Sequence, residues 1–249
     1  MDLFLFPHQD DEYFVGPLLA RDPARARCVF LTDGGYRGTG HGVRNNESLR
    51  ALRRLGVAAD QIVFAAEELG IRDNDLASSL PAAFARLTAD GTAGVERIVV
   101  PAYEGGHPDH DAACLLGHAL ASRWGGIPVL EFAAYRAHPF VPHFYSVMSP
   151  LPGRIAAGSP LPRERFSWGT FTLFRCYPSQ WRTWAGLLPP LVLNFLAGRR
   201  AGIYSAPRTD FRRRPHEGKL YYEYRDWSTF DRFLGQTEEF RRAHLISML

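Results

Sequence analysis

Residues 3–12, Leu3-Phe4-Leu5-Phe6-Pro7-His8-Gln9-Asp10-Asp11-Glu12, pass from four apolar residues straight into a histidine and three acids. A short apolar run closed by proline suits a strand buried on both faces. Acids placed just after it suit the entry to a helix, here expected over 11–20. The same order then repeats outward along the chain. Apolar runs recur at 28–31, 61–65, 97–101 and 128–134, and helix-length segments lie between them at 43–55, 75–89 and 109–123. Ala51, Leu52 and Leu55 fall at helical spacing, Gly56 reads as a stop signal, and Asp109 reads as the cap of the helix that follows it. Strands and helices alternating on short connections predict right-handed βαβ units on a parallel sheet, in the doubly wound order 3-2-1-4-5.

The regularity fades after residue 134. Pro and Gly are frequent over 139–162, a helix is expected from about Ser179, 211–227 reads as a hairpin, and 230–249 reads as a final helix. The expected organisation is a catalytic core over 1–134. An irregular α+β extension over 135–249 packs on it and can act as a lid or specificity region. Composition sets the outer bounds. With 249 residues, 46% hydrophobic and 22% charged, the chain is neither disordered, collagen-like nor coiled coil. A formal charge of +3 does not point to nucleic acid. Cys28, Cys114 and Cys176 lie far apart without a CxxC pair, which fits a reducing compartment. The N-terminus lacks the basic region of a signal peptide, and the apolar stretch 185–198 falls short of the about 20 residues a membrane span needs. The expected compartment is the cytoplasm.

Chemistry concentrates in two places. His8, Asp10, Asp11 and Glu12 follow the first strand, and His107-Pro108-Asp109-His110-Asp111 follows the fourth, behind Gly105-Gly106. Each cluster alone has a bland explanation, a polar loop whose acids cap the next helix. Together they carry more, because strands 1 and 4 are neighbours in the expected order. The crevice outside their carboxyl ends is where such sheets bind ligands. Two imidazoles and a carboxylate around an open position suit a catalytic zinc or a mononuclear ferrous ion. A carboxylate beside the metal can take a proton from water, and a second, protonated histidine, held in its charged form by an acidic neighbour, can stabilise an oxyanion or protonate the leaving group. His8, Asp10, Asp11, His107, Asp109 and His110 can between them fill all of these roles.

The ordered set PHQDDE, Thr32-Asp33-Gly34-Gly35, Arg44 with Glu47, Ala51 with Leu55-Gly56, and HPDH resembles the PIG-L/LmbE-like de-N-acetylases. The later Tyr177-Pro178-Ser179-Gln180 is similar to that family's Y-x-S-Q element, so the resemblance covers 3–134 and this piece. It implies a Rossmann-like parallel sheet flanked by helices. It also implies a Zn²⁺ ion held by His8, Asp11 and His110, with Asp10 as general base. By the same resemblance His107 steadies the tetrahedral intermediate with Asp109 as its tuner, and Arg44 and Asp73 contact substrate hydroxyls. The implied reaction releases acetate from an N-acetylglucosamine-type conjugate, a small-molecule partner. The chain departs from the pattern at Gln9, where proline is usual, and lacks the lysine often found before Y-x-S-Q.

Other signals in the chain are weaker. GGYRGTGHG over 34–42 matches neither G-x-G-x-x-G nor a P-loop, so neither NAD nor ATP is expected, and Tyr36, Arg37 and His41 read as rim residues. The arginines at 199–200 and 212–214 read as solvated. Residues 181–196, with two tryptophans at the start, read first as a core or lid helix and second as a membrane-surface segment. His138, His143 and His216 read as structural, and Ser179 lacks a nucleophile elbow. A Mg²⁺ or Mn²⁺ phosphoesterase and a non-catalytic sugar-binding module are the alternative functions. The oligomeric state has no signature in the sequence.

Overall fold

The computed structural model describes residues 1–35, 40–138, 141, 144–155, 164–205 and 209–245. Tyr36, Arg37 and His143 lie outside these described residues. The core elements follow in order as β1 (Asp2–Phe6), α1 (Gly16–Arg21), β2 (Ala26–Phe30), α2 (His41–Arg54), β3 (Ile62–Phe64) and α3 (Ala65–Leu69). Then come α4 (Leu76–Ala89), β4 (Arg97–Pro101), α5 (Pro108–Arg123) and β5 (Val129–Phe132). The rest of the described chain adds β6 (Tyr135–Ala137), β7 (Tyr145–Val147), α6 (Trp168–Phe171), α7 (Trp181–Leu196), β8 (Ile203–Ser205), α8 (Tyr221–Tyr224) and α9 (Phe230–Leu245).

The sheet runs β3-β2-β1-β4-β5-β8, so the expected 3-2-1-4-5 order is present with one strand added at the edge. The first five strands are parallel, and β8 pairs antiparallel with β5. All five residues of β1 are buried. Leu3 and Leu5 face the cluster beneath α4, α5 and α9, while Phe4 and Phe6 face the cluster beneath α1, α2 and α7. A strand covered on both faces has no polar side, which is why its sequence is a continuous apolar run rather than an alternation.

Local signals behave unevenly. Gly56, at φ 88°, ends α2 as expected: its N–H donates to Arg53 O at 3.0 Å and that of Val57 to Leu52 O at 3.0 Å. This bond pair satisfies the last carbonyls of the helix and needs the left-handed conformation that glycine supplies. The cap of α5 is not Asp109. His107 caps it, its Nδ1 accepting the Asp109 N–H at 3.2 Å, and Pro108 takes the first helical position. The expected hairpin over 211–227 is absent, since its only regular element is the single turn α8. The buried Glu223 carboxylate explains the difference. It accepts the Leu220 and Phe230 N–H groups and the Arg214 guanidinium, all within 3.0 Å, and so draws the segment into a knot of turns. Among the described residues no helix is long and apolar enough to cross a membrane.

Gly106 sets how β6 approaches the core. A Cβ there would stand 1.9 Å from the Tyr135 carbonyl oxygen, a backbone atom with no rotamer by which to retreat. Gly106→Ala is therefore expected to lower stability by about 2 kcal/mol. Urea melts of the two proteins, with the midpoint unchanged in the variant, would refute this.

Candidate metal centre and cavity

β1 and β4 are paired in register from Asp2↔Arg97 to Phe4↔Val99, so the loops leaving them emerge side by side. His8 lies two residues beyond β1, and His107 and His110 sit at the start of α5. The three imidazoles meet: ring centroids are 4.5 Å apart for His8 and His107, 5.4 Å for His8 and His110, and 5.7 Å for His107 and His110.

Two overlapping groups of side chains share His8. One ligand atom each from His8, Asp11 and His110 lies within 4.8 Å of the others, and the same holds for His8, Asp73, His107 and Asp109. The first group is the better cation site. Both ring nitrogens of His110 are buried without a hydrogen-bond partner, although Nε2 lies 3.0 Å from Asp11 Oδ1. The two atoms are near each other without the alignment of a hydrogen bond, as donors to a common third atom would be. His8 is oriented for the same purpose. Its Nε2 lies 3.2 Å from Asp109 Oδ2 and 3.1 Å from Asp73 Oδ1, while Nδ1 lies 3.5 Å from Asp11 Oδ2. An imidazole tied to carboxylate through one nitrogen presents the other to a metal. Two histidines and one carboxylate fit a three-ligand site with an open position.

Asp109 is already committed in the second group. Its carboxylate accepts the Asn74 N–H at 2.7 Å and the Leu76 N–H at 3.1 Å, so it holds the start of α4 as well as His8. It lies 3.9 Å from His107 Nδ1, farther than from His8. Because that Nδ1 accepts a backbone N–H, the His107 ring proton sits on Nε2, which faces Asp73 Oδ1 at 3.7 Å. Burial, reinforced by the neighbouring His8 charge, pushes the His107 pKa well below its ordinary value. The ring is thus a neutral N–H donor, not the charged imidazole expected from the sequence, because burial and the His8 charge outweigh the pull of the Asp73 carboxylate.

Asp10 sits at the mouth of this cluster in a backbone conformation uncommon for a side-chain-bearing residue, φ 140°. The Glu12 carboxylate braces it by accepting the Asp10 N–H at 2.9 Å, and the Asp10 carbonyl accepts the Tyr13 N–H at 3.1 Å. Burial raises the Asp10 pKa to about 6, against the opposing pull of Arg44. Arg44 lies 3.2 Å from Asp10 Oδ1 and also donates to the Gly34 and Gln9 carbonyls. Its guanidinium therefore organises the loop as well as lining the cavity. Gln9, at the position where the sequence departs from the resembled pattern, donates to Thr32 O at 3.1 Å and Asn45 Oδ1 at 2.8 Å. Its side chain ties the loop after β1 to the loop after β2 and to α2.

The sequence motifs 44–47 and 177–180 also meet. Glu47 accepts the Ser179 N–H at 2.9 Å and the Ser179 hydroxyl at 2.6 Å, joining α2 to the entry of α7. Glu47 is 1% exposed, so Glu47→Gln, which offers one acceptor in place of two, is expected to cost about 1–3 kcal/mol. A chemical melt showing no loss would remove this link from the fold's support.

His8, Asp10, Arg44, Asp73 and His107 line a cavity of about 310 Å³. Its lining also takes in residues that the sequence did not reveal: Tyr135, Tyr145, Arg182, Tyr221, Arg225 and Trp227. Trp227 packs 4.9 Å from the His107 ring, and Tyr135 packs 5.3 Å from that of His110. For Tyr221, Arg225 and Trp227 the aromatic enrichment of 211–227 is the one signal in the sequence, and it suits a strand equally well.

Residues 3–121 match the family model described as PIG-L, GlcNAc-PI de-N-acetylase. This segment belongs to the PIG-L family. No curated protein sequence matches the chain. Among solved structures, N,N'-diacetylchitobiose deacetylase from Pyrococcus horikoshii aligns with a TM-score of 0.56 at 19% identity, covering 83% of each chain. A deacetylase of the teicoplanin biosynthesis pathway aligns with a TM-score of 0.52 at 19% identity, over 84% of this chain and 98% of that one. The A40926 pseudoaglycone deacetylase aligns with a TM-score of 0.50 at 20% identity, over 79% and 87%. These likenesses cover more of the chain than the PIG-L segment, so the shared fold extends beyond it.

Proposed function

We propose that the protein is a zinc-dependent amidohydrolase that removes an acetyl group from an N-acetylglucosamine-type conjugate. The observation that carries this reading is the meeting of His8, Asp11 and His110 around one position with Asp10 beside it, within a PIG-L segment. His8, Asp11 and His110 would hold the ion. Bound zinc lowers the pKa of water to about 7 and polarises a carbonyl oxygen. The remaining roles fall to the chain itself. Asp10, ionised above about pH 6, accepts a proton from the attacking water and passes it to the departing amine. His107 donates its Nε2–H to the oxygen that gains negative charge at the carbonyl. Arg44 keeps the Asp10 carboxylate aimed into the cavity, and Asp73 and Arg44 are placed to meet sugar hydroxyls. The amide C–N bond breaks, water supplies the hydroxyl of acetate, and a free amine leaves.

Residues 1–134 act as the catalytic core and 135–249 as the specificity region, since the latter contribute Tyr135, Tyr145, Arg182, Tyr221, Arg225 and Trp227 to the cavity. The test combines metal analysis with a screen of N-acetylglucosaminyl conjugates for free amine. Turnover should vanish with chelator and return with Zn²⁺. A protein that binds zinc but releases acetate from none of these conjugates would overturn the substrate assignment.

A further inference from the structure

We infer that α7 docks the protein on the surface of an anionic lipid bilayer, with its outward face in the headgroup boundary. The helix is apolar on both sides. Trp184, Leu187 and Leu191 are buried on the core. Trp181, Ala185, Pro189, Val192, Leu193 and Leu196 recur at spacings of three and four on the other side, and all are exposed. Leu193 is 68% and Leu196 74% exposed, and Trp181 at the start of the helix is 62% exposed. Trp168, 70% exposed, extends the patch beside Phe195, ring centroids 6.0 Å apart. A helix apolar all round belongs in a core or against lipid. At sixteen residues α7 is too short to span a bilayer, which takes about 20, so it lies in the interface plane. Tryptophan favours that boundary.

Charge selects the occupant. Residues 165–205 hold five arginines, Arg165, Arg175, Arg182, Arg199 and Arg200, and not one Asp or Glu. All five are exposed, with Arg182 at one end of α7 and Arg199 and Arg200 just past the other. A second copy of the chain docked on this face would bring like charges together with no acid from this segment to offset them, a repulsive arrangement. Anionic headgroups offset them, each nearby arginine adding to the attraction. Arg182, Thr183 and Gly186 of the same helix line the cavity, so docking sets the cavity's mouth at the lipid boundary. The inference does not depend on the reaction proposed above.

Co-sedimentation tests it directly. The intact protein should pellet with vesicles of equal parts phosphatidylglycerol and phosphatidylcholine, not with phosphatidylcholine alone, and added salt should release it. The double variant Leu193→Asp, Leu196→Asp, changed only at exposed positions, should bind roughly tenfold or more weakly while melting as the parent does. Failure of the parent to pellet with the anionic vesicles would overturn the inference, as would unchanged binding by the double variant. So would a parent dimer in solution that the double variant dissolves, which assigns the face to a second copy.

Discussion

Asp10→Asn is expected to lower acetate release by about 10²–10⁴-fold while zinc content stays at the parental level. The substitution is nearly isosteric and leaves the backbone bonds that brace this position in place, so its 140° conformation survives. What disappears is the ability to accept a proton. In the metal-free parent, burial raises the Asp10 pKa to about 6, and a bound cation pulls it back down, so the rate should rise with pH through a value no higher than that and level off above it. The variant's residual rate should show no such step. Stability should move the other way. The folded pKa of about 6 stands above the ordinary 3.8, so the folded state favours the protonated form, and ionising Asp10 removes stability as pH rises between those values. A neutral Asn escapes that loss. The metal-free variant should therefore be more stable than the metal-free parent at neutral pH, on the order of 2 kcal/mol, since each pKa unit corresponds to about 1.4 kcal/mol. Gain of stability with loss of activity marks a group retained for chemistry. A variant as active as the parent would show that the base lies elsewhere.

The parts of the molecule legible in its sequence are those where one-dimensional pattern and three-dimensional position coincide. The runs at 3–6, 28–31 and 98–101 are apolar throughout because their strands are covered on both faces, and those strands and the helices between them appear within a few residues of expectation. The two clusters were findable because sheet order places the ends of β1 and β4 together, whatever the side chains do. Side-chain direction was not findable. Asp109 turned out to steady His8 and α4, and His107 took over the helix cap, choices made by rotamers and by a neighbouring loop. The three-residue strands β6, β7 and β8 carry no period of their own; β6 and β7 are defined by pairing with each other and β8 by pairing with the distant β5. Tyr221 and Trp227 of the cavity lining were hidden for a related reason, being gathered by turns that centre on the buried Glu223 carboxylate.

His110→Ala should reduce zinc affinity by more than about 100-fold, beyond the loss usual for removing a mere supporting contact, and should abolish turnover. The metal-free variant should still fold. Truncation takes one imidazole from the buried Asp11 carboxylate, 3.0 Å away, but Asp11 keeps the His8 N–H and ring beside it, and alanine suits the interior of α5. The pH dependence of binding distinguishes this centre from an incidental cluster. Burial opposes charge on His8, but the surrounding Asp109, Asp11 and Asp73 carboxylates outweigh it and hold its pKa well above 6.5. A proton and a metal ion then compete for the same ring, and zinc affinity should fall about tenfold for each pH unit below the folded His8 value. Without metal the sign is opposite. Because the folded pKa is raised, the stability that charged His8 contributes is complete below about pH 6.5 and is lost as pH rises through the folded value. Zinc should therefore raise the melting temperature least in acid and most in mild alkali, and not at all in His110→Ala at the same concentration. Competition titrations against a chelator at several pH values measure the first effect, and thermal melts with and without zinc measure the second. An affinity independent of pH in the parent would remove His8 from the ligand set.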